Sequence, residues 1–363
     1  MRLTPDTSQT IDVLRFPLMV GVVAIHAASA AIATPVGDDF QVAYWIQWVI
    51  SHALALVAVP MFFAMSALLL GTGHDGSWAM ARAKVTSRLA SLGRPFVLWC
   101  CIGAAILAIC ESVPFLASKM RSSGTPLADS PWFVVVDRTF GVTGGTPIAY
   151  QFWFIRDLMI LILIHPFLLR MRPFFLWITW GGCVAWWLIW PNTMVVVQAQ
   201  AAASFIGGLL LSRHTAWLDQ LPNARSLPWF LVLAAISAMI CMAVGLPPAW
   251  KVIFILSACP LVWTLSYCVR TNRILMWLGG FSFFLYCVHE PLLTVIRKLI
   301  LTAIPPVGSW DMLAVYSVSG LMTIVIALIM AFAVSRWTPG LFSFITGGRS
   351  RPVLPPPGSG HAH

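Results

Sequence analysis

Charge is what this 363-residue chain has least of, since Asp, Glu, Lys and Arg together make up 9% of it. Soluble domains carry about 25% charged residues, so this chain can hardly build a water-soluble surface. Hydrophobic residues make up 59% of the chain, and its mean hydropathy is +0.86. This composition excludes a soluble enzyme, a secreted disulfide scaffold and a disordered regulator. It predicts an all-α polytopic integral membrane protein.

Paired or metal-binding cysteines are also lacking. The eight cysteines include no CxxC pair and show no Cys/His spacing of the kind that binds a metal. All of them lie in apolar stretches, where cysteine behaves as a small packing residue. We therefore expect neither a disulfide framework nor a metal site, and no permanently bound cofactor.

Long apolar runs, by contrast, recur along the whole chain. A membrane-spanning helix needs about 20 mainly apolar residues. Ten segments meet this requirement, at about 13–34, 44–70, 95–116, 150–169, 173–190, 193–211, 228–246, 248–269, 275–303 and 311–337. The sequence therefore predicts about ten transmembrane helices. The ninth is long, and Pro291 is expected to kink it.

The net charge of +10 is distributed unevenly between the predicted loops. With the N-terminus inside and an even number of spans, 15 of the 22 Lys and Arg residues fall on cytoplasmic segments and 6 on external ones. Cytoplasmic loops of membrane proteins carry such an excess, so both termini are predicted to be cytoplasmic. Because the basic residues lie on membrane loops, no nucleic-acid partner is expected.

A single transmembrane domain is predicted for residues 1–346. Residues 347–363 are predicted to form a disordered cytoplasmic tail, because they are rich in proline and small residues. A signal peptide is the alternative for the N-terminus, since basic residues precede an apolar run and small residues at 27–33. Pro35 lies just beyond those small residues and argues against cleavage there.

Ionisable groups inside membrane spans are costly, so each is a candidate for function. His26 and His289 lie at similar depths, counted from the cytoplasmic side at 1.5 Å per residue. Most of these groups are expected to meet in one layer between the midplane and the outer face. Arg156 and Asp157 point about 100° apart on an ideal helix, so we expect one of them to pair elsewhere. The full set is His26, His52, Glu111, Arg156, Asp157, His165, His289 and Glu290.

Arg15 and His26 are eleven residues apart, which is close to three helical turns. They therefore share nearly the same helix face, about 16 Å apart along the axis. A guanidinium at the mouth of the membrane suits phosphate binding, and a neutral histidine at depth suits general-base chemistry. An acyl-coenzyme A, with phosphates at one end and a thioester at the other, fits this spacing.

Five sequence blocks, in order between about 10 and 335, resemble the membrane-bound acyltransferase 3 family. IDVLR followed by ten residues and His26 is similar to the family's arginine-x10-histidine motif. The other blocks are VPMFFAMSALLL at 59–70, RLASLGRPFVLW at 88–99, FWFIRDLMI at 152–160 and LGGFSFFLYCVHEPLL at 278–293. The chain departs from the family at Phe16-Pro17 and at Ala67, where glycine is common.

The resemblance implies a stand-alone O-acyltransferase of the inner membrane. Its donor would be a cytoplasmic acyl-coenzyme A, usually acetyl-coenzyme A, and its acceptor a hydroxyl of a glycan or lipid-linked saccharide. His26 is expected to act as a general base or a transient acyl carrier, with Arg156 stabilising the oxyanion or holding the acceptor. Arg15, Arg88 and Arg94 are expected to bind the donor. The residues expected to orient these groups or to bind the acceptor are Asp12, Trp153, Asp157, His289 and Glu290.

A transporter of glycans or small polar solutes is the alternative function. Buried charges and helix-interrupting prolines also occur along transport pathways. No inverted repeat is visible in the sequence, which favours the enzyme. A serine nucleophile is not expected, because Ser66 lacks a GxSxG context.

Overall fold

The computed structural model describes residues 3–28, 41–73, 77–119, 125–143, 145–190, 197–244, 248–350 and 352. Every regular element of these residues is helical, which confirms the predicted fold class. The first eight α-helices are α1 (Pro5–Ala27), α2 (Gln41–Gln47), α3 (Ala58–Gly71), α4 (Trp78–Ser112), α5 (Pro114–Lys119), α6 (Trp132–Phe140), α7 (Trp153–Arg170) and α8 (Pro173–Ile189). The other eight are α9 (Ala199–Arg213), α10 (Ala216–Gln220), α11 (Leu227–Val244), α12 (Pro248–Cys268), α13 (Arg273–Gly279), α14 (Ser282–Ala303), α15 (Ser309–Trp337) and α16 (Pro339–Ile345).

The described residues contain seven segments long and apolar enough to span a membrane, or eight if α13 and α14 form one bent span. Helix α2 continues into α3 through a π-helical turn and a 3-10 turn, so that 41–71 count as one segment. The predicted number of ten is not confirmed, because α8 has 17 residues and α9 has 15. Residues 191–196 between α8 and α9 lie outside the described residues. The cytoplasmic position of the termini stays a prediction.

Helix α1 lies in the centre of the bundle. It begins at Pro5 because Thr4 caps it, with Thr7 N donating to Thr4 Oγ1 at 3.1 Å. It then contacts α3, α12, α13, α14 and α15, and Leu14 in its middle is fully buried. The apolar run of the alternative signal peptide thus lies, over the described residues of α1, in the core.

Helices α3 and α9 approach each other closely through small residues. A Cβ on Gly208 would lie 2.1 Å from the backbone oxygen of Ala64, so only glycine permits this contact. Such packing is typical of helices in membranes. The contact places Phe63 and Phe205, both fully buried, in the core beside the site described below.

The chain bends by 62° between α13 and α14. The bend lies at Gly280 and Phe281, a different position from the kink predicted at Pro291, and α14 continues through Pro291. Gly279 shows why the break falls here. A Cβ at that position would lie 2.4 Å from the backbone oxygen of Asp12, so the glycine lets α13 pack against α1 beside the predicted site.

Candidate functional site

A cavity of about 1000 Å³ extends along α1 and is lined by both Arg15 and His26. The two residues predicted to share a helix face therefore open into the same space. Residues of α3, α4, α7, α13 and α14 form most of its other walls, and residues 348–350 and 352 also line it. The apolar part of the lining includes Trp153 and Phe154 at the start of α7, and Trp153 packs against the fully buried ring of Phe63.

His26 lies in a hydrogen-bonded chain of three side chains. The hydroxyl of Tyr150 lies 2.9 Å from His26 Nδ1 and donates to Glu290 Oε1 at 2.8 Å. Thr294 Oγ1 also donates to Glu290, at 3.2 Å, and so holds the carboxylate from the next turn of α14. Three segments far apart in sequence thus converge on one imidazole.

The chain of hydrogen bonds determines the tautomer of His26. A tyrosine hydroxyl carries a single proton, and a carboxylate can only accept. Since Tyr150 donates that proton to Glu290, its oxygen must accept from His26 Nδ1–H. The neutral imidazole then carries its lone pair on Nε2, the nitrogen that a general base or nucleophile would use.

Two residues of α14 support His26 from the other side. Arg297 Nη1 donates to the backbone oxygen of His26 at 3.1 Å, which caps the end of α1. The ring of His289 lies 5.3 Å from the ring of His26, centroid to centroid. His289 Nδ1 donates to the backbone oxygen of Tyr286 at 2.8 Å, and the side chain is fully buried outside the cavity lining.

The opposite end of the cavity is basic. Arg15 Nη1 lies 2.9 Å from Asp12 Oδ1, one turn earlier on α1, and Arg88 lines the same end from α4. Arg94, predicted to join them, is exposed and does not line the cavity. Arg349, which lies in the predicted tail, does line it.

Arg156 and Asp157 lie outside the cavity lining and pair with each other. Arg156 Nη2 lies 2.9 Å from Asp157 Oδ1, so the two side chains pair with each other as well as with the expected partners elsewhere. The long guanidinium reaches back to the carboxylate despite the angle between their Cα–Cβ bonds. Arg156 also donates to the backbone oxygens of Gly141 and Gly145, and Asp157 accepts from Gln198 N at 2.9 Å.

The predicted polar layer is only partly formed. His26, His289 and Glu290 meet, whereas Glu111 accepts from Leu127 N at 2.8 Å near the end of α4. His52 lies on the π-helical turn before α3, and His165 is buried in α7. Neither lines the cavity.

Sequence reasoning missed two residues of the site. Tyr150 begins the short turn that leads into α7, and it carried no signal because a tyrosine at the end of a loop is common at membrane interfaces. Arg349 fell within a proline-rich stretch that was interpreted as disordered. Arg349 reaches the cavity only because residues 346–350 fold back onto it, which the sequence does not indicate.

Comparisons with known proteins agree with the sequence blocks. The acyltransferase domain family, Acyl_transf_3, matches residues 9–332. The succinoglycan biosynthesis protein ExoH of Rhizobium meliloti (strain 1021) is 23% identical over 368 residues, covering 95% of this chain and 93% of that protein. No solved structure matches the chain significantly. The resemblance is confirmed, the enzyme is favoured over the transporter, and the chain belongs to the acyltransferase 3 family of multi-pass membrane acyltransferases.

Proposed function

We propose that this enzyme transfers an acyl group, in the first instance acetyl, from cytoplasmic acyl-coenzyme A to a hydroxyl of a polysaccharide at the inner membrane. The cavity that joins Arg15 to His26 carries this proposal. About 16 Å of α1 separates a cationic end from an imidazole, which suits a donor with phosphates at one end and a thioester at the other. The polysaccharide acceptor is proposed from the relative that is named for succinoglycan biosynthesis.

In the direct route, His26 Nε2 removes the proton of the acceptor hydroxyl as its oxygen attacks the thioester carbonyl carbon. The carbon–sulfur bond then breaks, and the imidazolium returns the proton to the thiolate of coenzyme A. Glu290, through Tyr150, would stabilise the charge that His26 acquires, because the carboxylate stands at the far end of the hydrogen-bonded chain.

In the relay route, Nε2 itself attacks the thioester carbonyl carbon, the carbon–sulfur bond breaks, and the thiolate takes the proton that the acylated imidazolium loses. The acceptor hydroxyl then attacks the acyl-imidazole, the carbon–nitrogen bond breaks, and the hydroxyl proton passes to the leaving imidazole. Both routes need the same tautomer of His26. They differ in kinetics, since the relay releases coenzyme A before the acceptor reacts and gives ping-pong behaviour. Initial rates over a grid of donor and acceptor concentrations distinguish them, as parallel double-reciprocal lines indicate the relay.

Arg156 is proposed to act through Tyr150 and not on the substrate. Its guanidinium holds the carbonyls of Gly141 and Gly145 in the loop that leads to Tyr150. Trp153 lines the cavity and is proposed to contact the bound substrate, whereas fully buried His289 packs beside His26. Asp12 is proposed to orient Arg15 toward the donor.

The test uses membranes that contain the full chain, labelled acetyl-coenzyme A and an extract of cell-surface polysaccharide. His26→Gln is expected to lower transfer by about 10²- to 10⁴-fold, the usual contribution of general acid–base catalysis. His214→Gln is the matched control, because His214 stacks on Trp217 and does not line the cavity. Undiminished transfer in His26→Gln, at equal protein in the membrane, contradicts the proposal.

A further inference from the structure

Residues 346–350, called here the C-terminal strap, fold back onto the cavity instead of leaving the protein. Trp99 Nε1 donates to the backbone oxygen of Ile345 at 3.2 Å and so fixes the end of α16 on α4. Gly347 then turns with φ +74°, and a Cβ there would lie 1.8 Å from the backbone oxygen of Ser91. Only glycine fits this contact, so the direction of the strap depends on it.

The turn brings Arg349 into the basic end of the cavity. Its guanidinium lies 3.7 Å from the centre of the Phe283 ring, and it donates to the backbone oxygen of Thr346. Burial lowers the pKa of Arg349 to about 10, and repulsion from Arg15 and Arg88 contributes to the shift. At neutral pH the side chain therefore stays charged, close to two other cations.

This end of the cavity has more positive charge than its carboxylate can balance. Among the described lining residues, Arg15, Arg88 and Arg349 face a single carboxylate, that of Asp12. Three guanidinium groups around one space favour a ligand with two or more negative charges. Phosphate groups match the planar donor fork of arginine, and each bond is strengthened by charge.

We propose that Arg349 completes, with Arg15 and Arg88, a binding site for the phosphate groups of the acyl donor. The C-terminal strap is then a functional part of the donor site, closing it from the side of α4. This inference rests on the proposed donor. The phosphate of a lipid headgroup has the same chemistry, so the experiment separates the two sources.

The experiment measures coenzyme A binding by calorimetry to the purified full-length protein in nanodiscs of phosphatidylcholine. Arg349→Gln is expected to weaken binding about 10- to 100-fold, as loss of a charged hydrogen bond predicts. Arg349→Lys should recover part of the affinity, because it keeps the charge but loses the fork. Arg336→Gln is the matched control, since Arg336 is exposed on α15 and does not line the cavity.

Pantetheine, which lacks phosphate, shows whether the effect is specific. Its affinity should be the same for the wild type and for Arg349→Gln, whereas a parallel loss would mean general damage and overturn the proposal. Gly347→Ala is expected to weaken coenzyme A binding like Arg349→Gln, because the added Cβ displaces the strap. Gly340→Ala should change nothing, since a Cβ there meets no atom within 4 Å.

Two further results show whether the ligand of the phosphate site is the acyl donor, and whether the proposed acyl transfer takes place. Equal affinity of the wild type and Arg349→Gln for coenzyme A overturns the donor assignment. If Arg349→Gln at the same time binds phosphatidylglycerol more weakly than the wild type does, the ligand of the site is a lipid phosphate. If the wild type binds coenzyme A through Arg349 but transfers no acetyl group, the phosphate site stands and the proposed transfer fails.

Discussion

Replacing Tyr150 with phenylalanine removes one oxygen atom from the proposed site and tests its central geometry. That atom accepts from His26 Nδ1 at 2.9 Å and donates to Glu290 Oε1 at 2.8 Å. Phenylalanine keeps the ring, whose centroid lies 5.3 Å from that of His26. The substitution therefore leaves His26 in place and takes away the group that determines which nitrogen carries its proton.

The expected magnitude follows from the hydrogen bonds that are lost. A hydrogen bond to a charged group contributes about 1.5–3 kcal/mol, and the Tyr150 hydroxyl donates to the Glu290 carboxylate. Since about 1.4 kcal/mol corresponds to a factor of ten in rate, kcat should fall by roughly 10- to 100-fold. The donor KM should stay unchanged, because the basic end of the cavity lies about 16 Å away along α1.

The assay compares initial acetyl transfer by purified wild type and Tyr150→Phe over a range of donor concentrations. Tyr267→Phe is the matched control, because Tyr267 also donates to a carboxylate, Asp6 Oδ2 at 2.9 Å, whereas Tyr150 is the tyrosine that is hydrogen-bonded to His26. Glu290→Gln and the double variant complete a cycle in which non-additive losses are expected. A kcat within twofold of wild type for Tyr150→Phe, or strictly additive losses, refutes the proposed tautomer control.

Three further outcomes are expected. Arg15→Ala should raise the donor KM about tenfold or more with a smaller change in kcat, and a steady-state analysis that finds an unchanged KM contradicts phosphate binding there. Arg156→Ala should destabilise the protein by on the order of 3 kcal/mol, because it leaves the fully buried carboxylate of Asp157 without its cationic partner. Thermal unfolding in detergent at wild-type values would be inconsistent with this. Gly208→Ala should cost about 1–3 kcal/mol through overpacking against α3, whereas Gly182→Ala, with open space around its Cβ, should unfold like the wild type in the same measurement.

Much of the fold was predictable because it depends on local composition. Apolar runs in a chain with 9% charged residues identify spanning helices without any knowledge of their neighbours. The number of spanning helices was less predictable, since a short helix such as α9 is stabilised by packing against α3 and not by its own length. The bend before α14 was not predicted, for a related reason. Proline marks a local irregularity, whereas the break at Gly280 follows from contact between α13 and α1.

The sequence by itself determined the family and the shared face of Arg15 and His26, because helical periodicity relates residues only a few turns apart. Tertiary structure decided what surrounds those two residues. Tyr150 and Glu290 reach His26 from positions more than 120 residues away, and Arg349 joins Arg15 from the opposite end of the chain. Arg156 illustrates the same limit, since its residue type suggests catalysis, whereas its contacts with Asp157 and with the loop before Tyr150 are visible only in the structure. The sequence determines the chemistry of each side chain, but the partners of that side chain depend on which helices pack together.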